Sequence, residues 1–156
     1  MKITTPKSIT TLERKSADLQ RLDAEIAVAL FGRAWYKCEA GAARWTTVMT
    51  KSECKQHFDP TRWPHWRCTL ANGFDPTCPE HYNTVPHYST DIAAAWDVEE
   101  EIRRRGLYAE YGEAMSVLLD SPFVTASDYD FLHASPELRC RAALLTVRAA
   151  RSRPGP

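Results

Sequence analysis

The spacing of apolar and polar side chains predicts three helices in this chain. The first starts at the capping-box sequence Thr10-Thr11-Leu12-Glu13 and ends near Phe31, before Gly32. Its apolar residues recur at steps of three and four positions: Leu19, Leu22, Ile26 and Leu30. This periodicity is typical of a helix that packs one face onto a core.

The second predicted helix covers about Thr90 to Arg105. Ser89 and Thr90 are favoured N-cap residues, and Asp91 suits the positive end of the helix dipole. The predicted packed side consists of Ile92, Ala95, Trp96 and Ile102. Glu99 falls within that arc, so we expect it at the rim of the packed face, or directed at a ligand or an arginine.

The third predicted helix begins at Ser135, an N-cap residue that is followed by Pro136 at the first helical position. Its predicted packed stripe is Leu138, Ala142, Leu145 and Ala149.

Short runs of β-formers between the helices predict strands. Residues 33–50 predict a hairpin that turns at Glu39-Ala40-Gly41, and Arg67-Cys68-Thr69-Leu70 predicts one more strand. Residues 107–134 leave two alternatives open. Met115–Leu119 could begin an antiparallel pair, whereas the spacing of Leu107, Tyr111, Met115 and Leu118 favours a helix.

These elements predict a small α-β-α sandwich with a mainly antiparallel sheet, in the α/β class. A length of 156 residues suits one domain, which we place at residues 10–150. Residues 1–9 are predicted to be a flexible arm and residues 151–156 a tail. Within the domain, residues 51–86 are predicted to be an irregular insert rich in Cys, His, Trp and Pro.

Composition limits the classes of partner. The chain carries 20 basic and 20 acidic residues, so no net charge draws it to long nucleic acid or to a membrane surface. No apolar run has the length of a membrane span. Five cysteines without a signal peptide indicate free thiols in a cytoplasmic protein.

Three stretches together resemble the phage ABA-sandwich family of small phage and prophage proteins. They are Leu22–Leu30 followed by Gly32 and Trp35, Tyr88–Trp96, and Ser135–Leu145. The resemblance implies a sheet between helical layers and a bacterial host cell, and it carries over no catalytic motif. Two departures are the long Cys- and His-rich segment 51–86 and the acidic Glu99, which stands where an apolar residue is expected.

A zinc site is the most specific metal hypothesis. Cys54-x-x-His57 and Cys78-x-x-His81 supply four N/S ligands in two close pairs, which suits a tetrahedral structural zinc. The alternative is a set of free thiols and loop histidines, with no cofactor. A Cys–His nucleophile built on Cys54, Cys68 or Cys78 lacks a flanking signature, so we expect no enzyme activity.

A ligand site is predicted from a loop and a helix start. The loop consists of Arg62, Trp63, Pro64, His65, Trp66 and Arg67, in which aromatic rings can stack on a base and guanidinium groups can bind phosphate. The helix start consists of Tyr88, Ser89, Thr90 and Asp91, whose free amides could hold an anion. The alternatives are a Trp-rich loop packed on the sheet and a purely structural helix start.

The sequence therefore predicts a non-catalytic accessory protein that sequesters a small ligand. Small phage proteins include sponges for cyclic-nucleotide immune signals, so the resemblance suggests a nucleotide ligand in a counter-defence role. A homo-oligomer would suit such a role, because subunit boundaries form good pockets. The alternatives are a protein-interaction module that inhibits a host protein and a zinc-stabilised binding domain.

Overall fold

A computed structural model of the chain describes residues 7–40, 42–57, 61, 66–73, 80–81, 85–119 and 131–153. The fold belongs to the predicted α/β class, with helices and a mainly antiparallel sheet. The chain divides into two compact units, residues 1–23 with 87–156 and residues 24–86. This division falls within the stretch 10–150 that the sequence predicts as one domain.

The unit of residues 24–86 contains the sheet, with the strand order β3-β1-β2-β4. Its strands are β1 (Ala34–Ala40), β2 (Ala43–Met49), β3 (Trp66–Leu70) and β4 (Glu80–His81). The predicted hairpin is β1 and β2, which pair antiparallel with Ala40 opposite Ala43. The predicted third strand, β3, pairs antiparallel with β1, and the short β4 is parallel to β2.

Strand β2 is buried along its second half. The consecutive residues Thr46, Thr47, Val48 and Met49 are all buried. Because successive side chains of a strand point to opposite faces, both faces of the sheet are covered at this strand.

Besides β3, which the sequence predicts, the segment 51–86 contains two elements that the sequence does not predict, α2 (Lys51–His57) and β4. Helix α2 begins with a capping box. The Thr50 hydroxyl accepts from the Glu53 amide at 3.1 Å, and the Glu53 carboxylate accepts from the Thr50 amide at 2.6 Å. Arg33 donates two hydrogen bonds of 3.1 Å to the same carboxylate. These contacts order a stretch in which the prolines and histidines suggested a loop.

Helix α1 (Lys7–Leu30) starts earlier than predicted and contributes residues to both units. Thr10 therefore lies inside the helix and is not its N-cap, and residues 7–9 of the predicted arm are helical. A Ser/Thr-x-x-Glu pattern is compatible with a helix interior as well as with a helix start, so it does not fix the boundary. Residues 1–6 lie outside the described part of the chain.

The other unit contains the remaining helices, α3 (Ile92–Arg104), α4 (Tyr108–Leu118) and α5 (Pro136–Ser152). Ser135 caps α5 as predicted, accepting from the Leu138 amide at 3.2 Å. Helix α4 confirms the helical alternative for its segment and contradicts the strand alternative for residues 115–118, whereas residues 120–130 lie outside the described part of the chain.

Helix α3 is capped by a different residue from the predicted ones. The Asp91 carboxylate accepts from the Ala93 amide at 2.9 Å, so Asp91 is the N-cap, and neither Ser89 nor Thr90 is. The helix ends as predicted before Gly106, whose φ of 71° permits a Schellman motif. In that motif the Leu107 amide donates to the Ile102 carbonyl at 3.1 Å.

The packed faces of α3 and α5 are rotated from the predicted ones. Helix α3 buries Ala95, Val98 and Ile102, whereas Ile92 and Trp96 are exposed. Helix α5 buries Arg139, Cys140, Ala142, Ala143, Leu144, Thr146 and Val147. Of its predicted stripe, Leu145 and Ala149 are exposed. The predicted packed faces did not include Val98 of α3 or Arg139 of α5, both of which are buried.

None of the described helices combines the length and the apolar character that crossing a bilayer requires.

Candidate functional site

The predicted ligand loop lies only partly within the described residues. Arg62, Trp63 and His65 are outside them. Trp66 and Arg67 are residues of β3, and the Arg67 side chain is exposed. Among the loop residues whose side chains are described, Arg67 is thus the basic residue that is exposed to solvent.

The amides at the predicted helix start already donate hydrogen bonds. The Ser89 amide donates to the Asp23 carboxylate at 2.6 Å. The amides of Thr90 and Asp91 donate to the His87 carbonyl at 3.2 and 2.8 Å. The prediction of free amides at these positions is therefore wrong, because each has a protein acceptor. Ionised Asp23 would also repel a phosphate placed beside Ser89.

Asp23 is a buried carboxyl group at the centre of this arrangement. Burial raises its pKa, and the hydrogen bonds from Ser89 and the nearby His87 offset part of that rise. His87 Nδ1 lies 3.8 Å from the second carboxyl oxygen. The hydroxyl of Ser89 donates to the Leu19 carbonyl at 3.3 Å, and Tyr88 is buried as well. These contacts give residues 88 and 89 a structural role in joining α1 to the start of α3.

The predicted zinc ligands are not assembled by the described side chains. Cys54 lies in α2, His57 ends that helix, and His81 lies in β4. The side chains of His57 and His81, and all of Cys78, are outside the described part of the structure. Among the residues whose side chains are described, no group of three or more His, Cys, Asp or Glu could hold a metal ion. The zinc site stays a prediction.

Cys54 instead belongs to a row of three thiols that we call the thiol cluster. Its Sγ lies 3.4 Å from Cys68 Sγ in β3, which lies 3.3 Å from Cys38 Sγ in β1. Cys38 is fully buried, whereas Cys54 and Cys68 are partly exposed. Cys38 was not among the candidate residues predicted from the sequence. Its position in the predicted hairpin, one strand away from Cys68, was the available signal.

The environment of the thiol cluster keeps Cys54 and Cys68 protonated at neutral pH. Burial and the contact with Cys68 raise the pKa of Cys54 to about 11. The hydrogen bond with Cys38, together with burial, raises the pKa of Cys68 further. Because the thiolate is the nucleophile, these shifts argue against nucleophilic catalysis at neutral pH.

We expect alkylation of Cys54 to follow its raised pKa. Below the pKa the thiolate fraction, and with it the labelling rate, grows about tenfold for each pH unit. The rate should therefore rise about tenfold per pH unit up to about pH 10, reach half its maximum near pH 11 and level off only above that pH. Iodoacetamide labelling followed by peptide mass spectrometry measures this rate, with a short cysteine peptide as the control. A plateau below about pH 9 would contradict the assigned burial.

A second buried group is centred on Arg139 of α5. Its guanidinium donates to the Glu99 carboxylate and to the carbonyls of Phe131, Leu132 and Ala134. Tyr111 donates its hydroxyl to the same Glu99 oxygen at 2.8 Å. Glu99 was predicted to lie at the rim of the packed face or to face a ligand or an arginine, and the structure pairs it with Arg139. The network joins α3, α4 and α5.

The feature with the clearest functional meaning is an exposed aromatic surface on α3. Trp96 is 59% exposed and Ile92, one turn before it, is 42% exposed. Two turns further along the same face, the Arg103 guanidinium lies 5.0 Å from the ring centroid of Tyr108, which is 50% exposed. We call these four residues the Trp96 face. Ile92, Trp96 and Arg103 lie on α3 beside its buried face, and Tyr108 begins α4.

No family model, curated protein or solved structure matches this chain. The resemblance to the phage ABA-sandwich family therefore stays a prediction.

Proposed function

We propose that this chain is a non-catalytic binding protein that engages another protein through the Trp96 face. The observation that carries the proposal is the exposure of Trp96, 59% of which faces solvent. Burial of apolar surface stabilises a protein by about 25 cal/mol per Å². An exposed tryptophan lacks this stabilisation in the free chain and gains it when a partner buries the side chain.

Helix α3 does not need Trp96 for its own packing. Its neighbouring face buries Ala95, Val98 and Ile102, and its end is closed by the Schellman motif at Gly106. The apolar surface of Ile92 and Trp96 is therefore additional to what holds the helix in place. Two apolar neighbours at a spacing of four residues form one continuous patch.

The composition and shape of the Trp96 face favour a protein as the occupant. Trp, Tyr and Arg are the residues that most often dominate binding energy in protein interfaces. The face consists of side chains that stand on the outside of a helix, whereas sites for small molecules are concave. Charges of both signs, from Glu100 and Arg103, border the patch and form the polar rim of a typical interface.

A nucleotide ligand receives less support from the described contacts. The amides of Ser89, Thr90 and Asp91 all donate hydrogen bonds within the protein. Among the predicted ligand residues that the structure describes, Arg67 is the exposed cation that could bind a phosphate. Sequestration of a nucleotide is thus the alternative proposal. Following the phage resemblance, we propose a bacterial cytoplasm as the setting and a bacterial protein as the partner.

The test compares Trp96→Ala with Val117→Ala, a matched control on α4 that is also apolar and exposed. Both variants and the parent chain are used as bait in a bacterial lysate. A candidate partner is then purified and its Kd is measured by calorimetry. We expect Trp96→Ala to raise the Kd about 30-fold or more, the effect of an interface hot spot, and Val117→Ala to leave it unchanged.

Three results would reject the proposal. The first is a Kd that Trp96→Ala does not change. The second is a large loss of thermal stability in Trp96→Ala, which would assign the side chain to the core. The third is a concentration-dependent dimer that disappears in Trp96→Ala, which would make a second copy of the chain the occupant. Native mass spectrometry reports this dimer and also any retained nucleotide.

A further inference from the structure

The thiol cluster contains a cysteine pair in a defined position of the sheet. In the antiparallel pairing of β1 with β3, Cys38 lies directly opposite Cys68. The Ala71 amide donates to the Trp35 carbonyl at 2.9 Å, so Trp35 and Ala71 are a hydrogen-bonded pair. Because the two kinds of pair alternate along an antiparallel ladder, Cys38 and Cys68, three positions away, form a non-hydrogen-bonded pair.

This register suits a covalent bond between the two cysteines. The Cα atoms of a non-hydrogen-bonded pair lie about 4.5 Å apart. That separation is within the range of about 4.4–6.8 Å found for disulfides. The Sγ atoms of Cys38 and Cys68 are already 3.3 Å apart, on the same face of the sheet. The backbone therefore needs no large movement for the bond to form.

We propose that Cys38 and Cys68 are an oxidation site that closes to a cross-strand disulfide, and that Cys54 is the thiol through which the oxidant enters. Cys38 is fully buried, so an oxidant in solution cannot reach it directly. Cys54 is partly exposed, and its Sγ lies 3.4 Å from Cys68. The three sulfur atoms thus form a path from the surface to the buried thiol.

The chemistry balances with a low-molecular-weight disulfide as the oxidant. The Cys54 thiolate attacks one sulfur of that disulfide, which forms a mixed disulfide and releases one thiol after protonation. The Cys68 thiolate then attacks Cys54 Sγ and releases the second thiol. In the last exchange the Cys38 thiolate attacks Cys68 Sγ, and Cys54 leaves and is reprotonated. The protein loses two protons and two electrons, and the oxidant becomes two thiols.

The sheet favours the Cys38–Cys68 bond over a Cys54–Cys68 bond as the end product. Hydrogen bonds of the ladder hold both β1 and β3 in register around the pair, whereas Cys54 lies on the short helix α2. The buried Cys38 sulfur is also protected from reducing thiols once it is bonded. This oxidation site shares no residue with the Trp96 face, so either proposal can fail without the other.

The test uses the full chain with Cys78→Ser, which removes the cysteine that lies outside the described residues. The protein is incubated with glutathione disulfide at about pH 9.5, where a small fraction of Cys54 is thiolate because its pKa is raised to about 11, and its intact mass is followed. We expect a loss of about 2 Da, which is two hydrogens, and a non-reducing peptide map that links Cys38 to Cys68. Cys140, a buried thiol of the other unit, is the internal control and should stay free.

Single variants separate the roles of the three thiols, and circular dichroism confirms that each one folds. Cys68→Ala should abolish the mass loss. Cys54→Ser should reach the same Cys38–Cys68 bond about tenfold more slowly, because oxidation must then start at Cys68. The proposal is overturned if the parent chain shows no mass loss, if the bond involves Cys140, or if Cys54→Ser reacts at the parent rate.

Discussion

Replacement of Arg139 with Met is expected to lower the free energy of unfolding by about 3–5 kcal/mol. The buried guanidinium donates to the Glu99 carboxylate and to three backbone carbonyls of residues 131–134. Methionine keeps much of the volume and removes every donor. The Glu99 carboxylate, only 19% exposed, would then be left without its counter-ion, and unpaired buried charges and carbonyls are costly.

Urea denaturation measures the change, and the chain offers a matched control. Arg141 lies on the same helix and pairs with Glu137 at 2.9 Å, but its side chain is 50% exposed. Arg141→Met should cost less than about 1 kcal/mol, because solvent screens an exposed ion pair. A loss below about 1 kcal/mol for Arg139→Met would show that the network contributes little to stability.

A double variant isolates the contribution of the unpaired charge. Glu99→Gln in the Arg139→Met background removes the uncompensated carboxylate and keeps an acceptor for the Tyr111 hydroxyl. We therefore expect the double variant to regain part of the stability lost in Arg139→Met. If the double variant is no more stable, the cost comes from the carbonyls of residues 131–134.

The elements of this fold were largely predictable from local patterns. The hairpin of residues 33–50, the strand ending at Leu70 and the start of α5 at Ser135 are set by short-range chemistry. Such signals depend on residues near each other in the sequence, so the sequence alone is sufficient to recognise them. The capping box at Thr50 and Glu53 was equally available and was missed, because the surrounding prolines and histidines outweighed it.

The orientation of the helices and the contents of the sites were less predictable. Arg139 looks like a solvent residue until Glu99, forty positions earlier, is placed beside it. Ser89 looks like an N-cap until the Leu19 carbonyl takes its hydroxyl and the Asp23 carboxylate takes its amide. The thiol cluster likewise needs the β1–β3 register to bring Cys38 to Cys68. Each case depends on a contact between distant residues, which local periodicity does not encode.

Substitution of Asp23 is also expected to change the free energy of unfolding strongly, and the sign of the change depends on which residue replaces it. Asp23→Ala should lower stability by about 1–3 kcal/mol, because it leaves the buried Ser89 amide without an acceptor. Asp23→Asn keeps an acceptor for that amide and carries no charge. We therefore expect the Asn variant to be at least as stable as the parent chain above the folded-state pKa of Asp23, where the parent carboxylate is ionised.

The pH dependence provides the decisive comparison between Asp23 and its Asn variant. Burial raises the folded-state pKa of Asp23 above its ordinary value of 3.8, so the folded protein binds this proton more tightly than the unfolded chain. The stability contributed by the protonated carboxyl is present below pH 3.8 and is lost as the pH rises through the folded pKa. The advantage of Asp23→Asn over the parent should accordingly grow across this window and then level off.

Thermal denaturation of both proteins from about pH 3 to pH 7 measures this difference, with Asp18→Asn as an exposed control on the same helix. The groups that face Asp23 are Ser89, His87 and the buried thiol of Cys140. The charge of His87 lowers the pKa of Asp23, so in His87→Gln the loss of parent stability should extend to higher pH. An Asn variant that loses stability relative to the parent as the pH rises would show that the hydrogen bonds from Ser89, and not burial, determine the ionisation of Asp23.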